Sequence, residues 1–314
     1  MTRASIPSRE VKAETHELAD GIFAYVQLDG SWWVNTAGFL QSDGEVLVID
    51  TCSTAARAGA FATEVGRRAP GVVRRLVNTH SHGDHTYGNA AFQNAVIFGH
   101  DSTRAEVLAD RVREMPPGIW EPNPDWGSMP ISPPTVTFAS QLTMHVGRLR
   151  VEVIYIGTAA HTRGDVVVWI PEHRVLYAGD LVFNGGTPMM MGGSVVGALD
   201  ALKTLRSFDA DVLVAGHGTP VRGTEVVALL NTQERYHRYV LESAIAGRSA
   251  GLPPLEVARN LDLGEFAALL DPERIVLNLH RAYADLDGIP DIDIGTAFAD
   301  AISWNGGRPL KCTA

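Results

Sequence analysis

Short apolar runs alternate with polar or glycine-rich stretches along the first 222 residues. The runs have the length and the β-branched content of buried strands. They predict strands at residues 22–28, 34–41, 46–50, 75–79, 95–99, 149–156, 166–170, 175–179 and 212–215. Between them, Ala55 to Arg68 has the spacing of a helix, and Ser194 is placed to cap a second helix. Strands that alternate with amphipathic helices predict an α/β fold, in which helices cover the faces of sheets.

The pattern changes to mainly helical after residue 222. Four helical stretches are predicted, at residues 225–246, 254–261, 264–270 and 272–286. The last begins at Asp271-Pro272, a favourable helix start. We therefore expect a core of residues 1–222 and a helical extension of residues 223–314 that packs on it. Packing is the favoured role of the extension, and a wall of a substrate cleft or a homodimer contact are its alternatives.

Composition and charge narrow the class of protein. A chain of 314 residues with 45% hydrophobic residues suits one large domain with an ample core. The net charge of -10 argues against nucleic acid as a partner, because phosphate backbones are bound by clustered Lys and Arg. The chain has no apolar run of membrane-spanning or signal-peptide length, so we expect a cytoplasmic location and no membrane association. Cys52 and Cys312 are then expected to be reduced thiols.

Four potential metal ligands lie close together in the segment His80-Ser-His-Gly-Asp-His85. The segment directly follows the apolar run 75–79, so its side chains are expected on a loop at the carboxyl end of a strand. In an extended loop alternate residues point in opposite directions. His80 and His82 would then chelate one ion, while Asp84 and His85 face a second ion, with Gly83 permitting a tight backbone.

Three further potential ligands fall at the ends of later apolar runs. They are His161, after residues 153–157, Asp180, after residues 175–179, and His217, after residues 212–216. Histidine rings and shared carboxylates suit a borderline cation with an open coordination position. The repeated placement therefore predicts a metal site built from several strand ends, with zinc as the leading candidate, while iron and manganese also accept these ligands.

The ordered motifs resemble those of the metallo-β-lactamase superfamily over roughly residues 20–220. The matching motifs are His80-Ser-His-Gly-Asp-His85, Ala160-His-Thr-Arg-Gly-Asp165, Ala178-Gly-Asp180 and Gly216-His-Gly218. The resemblance implies a four-layer αββα sandwich, a catalytic core, and two metal ions at one edge between two sheets. It implies that one ion is held by His80, His82 and His161. The second would be held by Asp84, His85 and His217, with Asp180 bridging the two.

The chemistry that this pair of ions implies is hydrolysis. Two adjacent cations make hydroxide available near neutral pH and polarise a carbonyl group, and Asp84 would accept or relay the proton. Asp50 ends the run 46–50 and matches the first acidic motif of the superfamily. We interpret Asp50 as a group that orients a metal ligand, with helix capping as the alternative.

Finer resemblances point to a substrate class. Asp180 stands where antibiotic-destroying branches with a cysteine ligand carry Cys, so the site resembles the glyoxalase II and lactonase type. The segments Leu263-Gly-Glu-Phe266, Asp271-Pro-Glu-Arg274 and Asn278-Leu-His-Arg-Ala-Tyr283 resemble actinobacterial hydrolases of the superfamily. Some of these are cyclase/thioesterases of aromatic polyketide biosynthesis that act on a carrier-protein-bound acyl chain. The favoured function is hydrolysis of an ester, thioester or lactone. The alternatives are an iron-dependent persulfide-dioxygenase-like enzyme, a β-lactam hydrolase and a non-catalytic metal-stabilised module.

Three segments are candidates for the substrate pocket. The first is a hairpin with adjacent tryptophans, and the third is the stretch that follows Asp180. The second runs from Met115 to Pro134 and contains seven prolines, which predicts a stiff lid or a surface loop. The candidate pocket residues are Trp32, Trp33, Trp120, Trp126, Asn184, Met189, Met190, Met191 and Arg163. Aromatic and methionine surfaces suit a flat or oily acyl group of a small molecule or of a carrier-bound chain.

Overall fold

Strands and helices alternate along residues 12–115 and 117–314, the residues that the structure, a computed structural model, describes. The strands are β1 (Ala13–Ala19), β2 (Ile22–Gln27), β3 (Thr36–Ser42), β4 (Glu45–Ile49), β5 (Val72–Val77), β6 (Val96–His100), β7 (Trp120–Glu121), β8 (Val136–Phe138), β9 (Gln141–Val146), β10 (Leu149–Tyr155), β11 (Val166–Ile170), β12 (Val175–Phe183), β13 (Val212–His217), β14 (Val221–Arg222) and β15 (Leu310–Lys311). The α-helices are α1 (Ala55–Arg68), α2 (Gly83–Thr86), α3 (Asp101–Ala109), α4 (Val195–Ser207), α5 (Thr224–Ser249), α6 (Pro254–Asn260), α7 (Arg274–Asp287) and α8 (Ile294–Trp304).

Two large sheets contain most of the strands. The first has the order β1-β2-β3-β4-β5-β6-β8, and the second has the order β14-β13-β12-β11-β10-β9. Each predicted strand is present within a few residues of its predicted bounds. The largest difference is β12, which continues to Phe183 instead of ending at residue 179. Ser194 caps α4 as predicted, because its side chain accepts a hydrogen bond from the Gly197 N–H.

Alternating side chains of β2 show how the first sheet separates two cores. Ile22, Ala24 and Val26 belong to a core that also contains the inner side chains of the second sheet. Phe23 and Tyr25 point the other way and join a core with the apolar face of α1. This is the period of two that a strand imposes on its side chains, and both faces are therefore buried.

The outer face of the second sheet packs on helices. Val167, Leu176 and Leu213 share one core with Leu202 of α4 and Leu230 of α5. Helix α1, the two sheets and this second helical layer follow one another, so the predicted αββα order is confirmed. The C-terminal helices α5 to α8 add to the outer layer next to the second sheet.

Three of the four predicted C-terminal helices are present, the helix α8 (Ile294–Trp304) was not predicted, and the prediction of a helix at residues 264–270 is wrong. Only the short 3-10 helix Gly264–Phe266 forms there. The Leu270 N–H donates to the Gly185 carbonyl, and the Leu270 carbonyl accepts from the Thr187 N–H. Because this backbone bonds to a neighbouring segment, a continuous helix cannot form, and α7 starts only at Arg274. The boundary at residue 222 stays a prediction.

The proline-rich stretch from Met115 to Pro134 is fastened to the rest of the fold. Its strand β7 pairs in parallel with β15 near the C-terminus, and the Trp126 carbonyl accepts from the Ala55 N–H at 3.1 Å. Pro116 lies outside the described residues. Among the described helices, none is long and apolar enough to cross a membrane.

Candidate metal centre

Seven side chains from four parts of the chain meet at one edge of the two sheets. The first group comprises His80, His82, His161 and Asp180, and the second comprises Asp84, His85 and His217. In each group the potential ligand atoms all lie within 4.8 Å of one another. All seven are buried except His82, which is half-buried. The structure thus brings together every residue that the sequence suggested as a ligand.

Asp180 lies between the two groups. Its Oδ1 is 3.0 Å from His85 Nε2 in the second group. Its Oδ2 is 3.3 Å from both His161 Nε2 in the first group and His217 Nε2 in the second. One carboxylate that faces histidines of both groups is suited to bridge two cations.

Three of the histidines are oriented by hydrogen bonds at Nδ1. In each case the acceptor is a carboxylate or a backbone carbonyl, so Nδ1 carries a proton and Nε2 is the nitrogen that would bind a metal ion. The pairs are His85 with Asp50 Oδ2 at 2.8 Å, His161 with Met189 O at 2.5 Å, and His217 with Gly30 O at 3.0 Å. This arrangement fixes the tautomer that a metal ion requires.

His80 is oriented through Thr79. The Thr79 hydroxyl donates to Asp50 Oδ2 at 2.7 Å, so its proton is used and its oxygen can accept from His80 Nδ1 at 3.0 Å. Asp50 also accepts the Thr79 N–H at 2.7 Å through Oδ1. Asp50 therefore supports a histidine of each group, directly at His85 and through Thr79 at His80. The capping alternative for Asp50 is wrong, because Thr54 caps α1.

Several buried atoms at the centre have no hydrogen-bond partner among the described residues. They include His80 Nε2, His85 Nε2 and Asp180 Oδ1. A buried polar atom without a partner is costly, and most such atoms are paired in native proteins. Imidazole and carboxylate donors fit a borderline divalent cation, and a bound cation would satisfy these atoms.

The pKa values divide the histidines into two kinds. Burial lowers the pKa of His161 to about 3 and that of His80 well below its usual value, so both rings are neutral. Burial also lowers the pKa of His217, but Asp180 and Asp84 outweigh it and raise the pKa to about 9. The carboxylates likewise outweigh burial at His85 and raise its pKa well above the usual value. The second group therefore stabilises positive charge. A bound metal ion would supply this charge, and protons on His85 and His217 supply it otherwise.

Asp165 holds the loop that carries His161. Its carboxylate accepts the N–H of His161 at 2.8 Å, the N–H of Thr162 at 2.9 Å and the hydroxyl of Thr162 at 2.6 Å. Burial raises the pKa of Asp165 to about 7 despite these hydrogen bonds. Sequence reasoning gave Asp165 no role, although it ends the motif that begins at Ala160. It gave none to Thr79 either, and no pattern marks that residue.

A cavity of about 520 Å³ opens above the metal centre. Its floor includes His82, Asp84, Asp180 and His217. Its walls are mostly apolar and include Trp32, Trp33, Trp120, Phe183, Met189, Met191 and Phe298. The volume lies within the range of about 300–1,000 Å³ that is common for small-molecule sites. An organic substrate can therefore reach the potential ligands.

Comparison with known proteins places this centre in a family. Residues 30–217 match the Metallo-beta-lactamase superfamily. The chain belongs to this superfamily. The matched range contains all seven potential ligands and ends at His217.

Individual relatives of the superfamily are distant. A linear primary-alkylsulfatase from Pseudomonas sp. is 24% identical over 69% of this chain and 48% of its own length. A hydroxyacylglutathione hydrolase from Rhodospirillum rubrum is 29% identical over 46% of this chain and 48% of its own length. The chain thus spans about half the length of these curated relatives. A metallo-beta-lactamase structure from Pontibacter korlensis has a TM-score of 0.60 at 19% identity, with coverage of 72% of this chain and 99% of that one. This likeness supports the superfamily fold.

The ligand-bearing segment differs locally from the sequence-based expectation. Residues Gly83–Thr86 form the short helix α2 and not an extended loop, so the alternation argument for Asp84 and His85 does not hold. Gly83 does not have a positive φ. A Cβ at Gly83 would lie 2.2 Å from the ring of Tyr87, so the glycine is needed because the ring packs against it.

Six of the nine pocket candidates line the cavity. They are Trp32, Trp33, Trp120, Arg163, Met189 and Met191. Both Trp32 and Trp33 are buried although they are adjacent in sequence. Arg163 is paired with Asp291 of the extension, so its charge is already neutralised.

The other three candidates do not line the cavity. Trp126 packs edge-on against Trp33 at 4.9 Å, behind the wall. Asn184 donates to the Thr219 carbonyl at 2.8 Å. Met190 is buried, with its N–H bonded to Asn278 Oδ1 at 2.9 Å. Sequence spacing placed these residues near the ligands but could not give the direction of their side chains.

The helical extension contributes a wall of the cavity, beyond the packing role that the sequence favoured. The lining residues from this region are Arg274, Arg281, Pro290, Asp291, Ile292, Ile294 and Phe298. They come from α7, α8 and the segment between them. Arg274 and Arg281 stand in segments that carried the resemblance to actinobacterial hydrolases, but that resemblance gave them no role. Nothing marked the apolar residues, because apolar residues at helical spacing look the same whether they face a core or a cavity.

Proposed function

We propose that this protein is a metal-dependent hydrolase that holds two zinc ions and cleaves an ester, a thioester or a lactone. The observation that carries the proposal is the position of Asp180 between two groups of imidazole and carboxylate donors, directly below an apolar cavity. Several curated relatives are named as hydrolases, which supports the reaction class.

The residues divide the work as follows. His80, His82 and His161 would hold one ion, Asp84, His85 and His217 the other, and Asp180 both. Zinc supplies Lewis acidity, which polarises a carbonyl group and acidifies water. Nitrogen and oxygen donors of this kind favour zinc, although iron and manganese also accept them.

Asp84 is the proposed proton acceptor of the reaction. It lines the cavity floor, and its Oδ2 is 3.2 Å from His217 Nε2. Burial raises the pKa of Asp84, but His85 and His217 outweigh burial and lower it below the usual value. The carboxylate is therefore ionised at neutral pH and ready to take a proton from attacking water.

The apolar walls keep bulk water away from the reacting group and bind the acyl part of the substrate. A carrier-bound acyl chain as substrate, a polyketide cyclase/thioesterase reaction and a homodimer are finer parts of this proposal, and an acyl chain loaded on a defined carrier protein would test the first of them. The favoured class at this stage is hydrolysis of an organic acyl compound.

Metal analysis combined with an assay panel tests the proposal. Purified protein should contain about two zinc ions per chain and should hydrolyse an acyl thioester, a simple ester or a lactone. Activity should disappear with a chelator and return with zinc. A preparation with two zinc ions that leaves all of these compounds intact would refute the proposal.

Two alternatives have distinct signatures in the same panel. One iron per chain, with oxygen consumption on a persulfide, would favour the dioxygenase-like function. If a β-lactam is added to the panel and is the compound that is cleaved, the second alternative, a β-lactam hydrolase, would be favoured. A Metallo-beta-lactamase type 2 from Elizabethkingia meningoseptica is 26% identical over 56% of this chain, which supports testing this alternative. The second group of donors, complete with Asp84, His85 and His217, argues for two ions and against a single iron.

A further inference from the structure

Arg274 is an unusual member of the cavity wall. It lies in the first turn of α7, lines the cavity and is only 2% exposed. Its Nη1 donates to the Thr187 carbonyl at 3.0 Å, and its Nη2 is 2.9 Å from Asp271 Oδ2. Its Nε has no hydrogen-bond partner among the described residues. A guanidinium group has five N–H donors, so this buried cation retains donor capacity.

The other arginines of the cavity do not have this property. Arg281 uses Nε on Asp285 and both terminal nitrogens on the carbonyls of Pro290 and Ile289. Arg163 is bonded to Asp291, and Arg111 to backbone carbonyls at the mouth. Within the described residues, Arg274 is thus the cavity arginine with an unsatisfied buried nitrogen. A buried donor without a protein partner needs an acceptor, which an oxygen of a ligand or of a water molecule in the cavity can supply.

The surroundings of Arg274 are aromatic. Its guanidinium carbon lies 4.3 Å from the centre of the Trp32 ring and 5.4 Å from that of Phe183. Trp120 meets the Trp33 ring at 5.3 Å and an angle of 80°, and the Phe298 ring at 5.6 Å and 71°. These rings present faces and edges to the cavity, a surface that favours a flat aromatic ligand over a puckered aliphatic one of similar size.

Charge decides what kind of oxygen Arg274 would bind. Asp271 already pairs with the guanidinium group, and the buried Glu273 carboxylate also lies beside it, where it accepts from Trp32 Nε1, so this part of the wall has no excess of positive charge. A second carboxylate from a ligand would find little attraction there, whereas a carbonyl or hydroxyl oxygen can accept the remaining N–H without adding charge.

We propose that the cavity takes an acyl group with a planar aromatic ring that packs on the tryptophan walls and carries a neutral oxygen bound by Arg274. The proposal rests on the proposed acyl hydrolysis and names the substrate class for that same centre. Arg274 would act as a specificity-determining residue, not a catalytic one.

Binding of carboxylic acids to zinc-loaded protein tests the ring preference. Naphthylacetate and its saturated counterpart, decahydronaphthylacetate, share one carbon skeleton and one carboxylate, and they differ in flatness. Calorimetry should give a dissociation constant about tenfold lower for naphthylacetate, as expected when more than one aromatic contact is lost. Equal binding, or tighter binding of the saturated acid, would overturn the proposal.

Hydroxylated naphthylacetates, with the hydroxyl placed at each ring position in turn, test the role of Arg274. At least one of them should bind about tenfold more tightly than naphthylacetate, because it satisfies a charged donor. Arg274→Met should abolish this gain while naphthylacetate itself still binds. Arg274→Lys should also reduce the gain, because it keeps the charge but lacks Nε. Arg238→Met, a matched change on the exposed face of α5 outside the cavity, should leave the ratio unaltered.

The hydroxyl comparison in the unmutated protein stands even if a variant of Arg274 fails to fold. A hydroxyl gain that persists in Arg274→Met, or the absence of any gain in the unmutated protein, would contradict the role of Arg274. Thioesters of the same acids separate this proposal from the hydrolase proposal. Hydrolysis without ring preference overturns the substrate class alone, whereas ring-selective binding without hydrolysis of any thioester overturns the reaction and keeps the binding site.

Discussion

Replacement of Asp50 by Asn should weaken the affinity for both metal ions without removing a ligand. Asp50 accepts three hydrogen bonds, from the Thr79 N–H, the Thr79 hydroxyl and His85 Nδ1. An amide has one acceptor oxygen, and its NH₂ group would face at least one of these donors. The variant must therefore leave a buried donor unpaired or turn a histidine away from its position.

The size of the effect follows from the number and type of bonds lost. A hydrogen bond to a charged group contributes about 1.5–3 kcal/mol. At about 1.4 kcal/mol per factor of ten, one lost bond corresponds to a roughly 10–100-fold weaker affinity. Loss of groups that orient metal ligands elsewhere has the same range, about 10–100-fold. We expect the site that contains His85 to lose more than the site that contains His80, because Thr79 intervenes in the second case.

Zinc titration against a chromophoric chelator measures both dissociation constants. The matched control is Asp43→Asn. Asp43 and Asp50 both have a left-handed backbone, with φ of 49° and 58°, a conformation that Asn tolerates well. Asp43 is exposed in the turn between β3 and β4, and its carboxylate forms an ion pair with the exposed Arg148. Zinc affinities in Asp50→Asn that match those of the control would refute the orienting role of Asp50.

Three further predictions concern the same centre. Asp84→Asn should lower kcat by about 10²–10⁴-fold at saturating zinc, because the proposed proton acceptor is lost, and unchanged kcat would remove Asp84 from the reaction. Zinc affinity should fall as the pH drops below about 9, by about tenfold per pH unit for each displaced proton, because protonated His217 must release a proton to bind zinc. A zinc affinity that does not change with pH would contradict this competition. Gly179→Ala should lower the free energy of unfolding, measured in urea, by about 1–3 kcal/mol. Gly179 has a φ of 52°, and a Cβ there would lie 2.6 Å from Thr79 Oγ1. Unaltered stability would mean that the backbone relaxes freely.

The strands, most of the helices and the seven candidate ligands could be predicted from local patterns, whereas the four-layer order came from the resemblance to the superfamily. The continuous apolar run of β2 is visible in the chain itself, and such a run is typical of a strand that is buried on both faces, as β2 is. His80, His161 and His217 each follow a strand-like run, and parallel or adjacent strands bring such positions to one edge. The clustering therefore needed no knowledge of long-range packing.

The remaining features depend on contacts between distant segments. The short helix α2 forms where an extended loop was expected, and its first residue is packed under the Tyr87 ring. Thr79 matters because Asp50 approaches it from another strand, which no spacing in the sequence reveals. Arg274 reaches the cavity only through the docking of α7, so its position could not be read from the chain.

The place of the C-terminal helices in the chain has a consequence for how the function of related proteins can change. Every potential ligand precedes residue 218, whereas part of the cavity wall, including Arg274 and Phe298, lies beyond the range matched to the superfamily. This part of the wall and the residues that would carry out the reaction are thus encoded in separate stretches of the gene. Mutation can reshape one while the other stays intact, and two chains with the same seven donors can accept different molecules when their C-terminal helices differ.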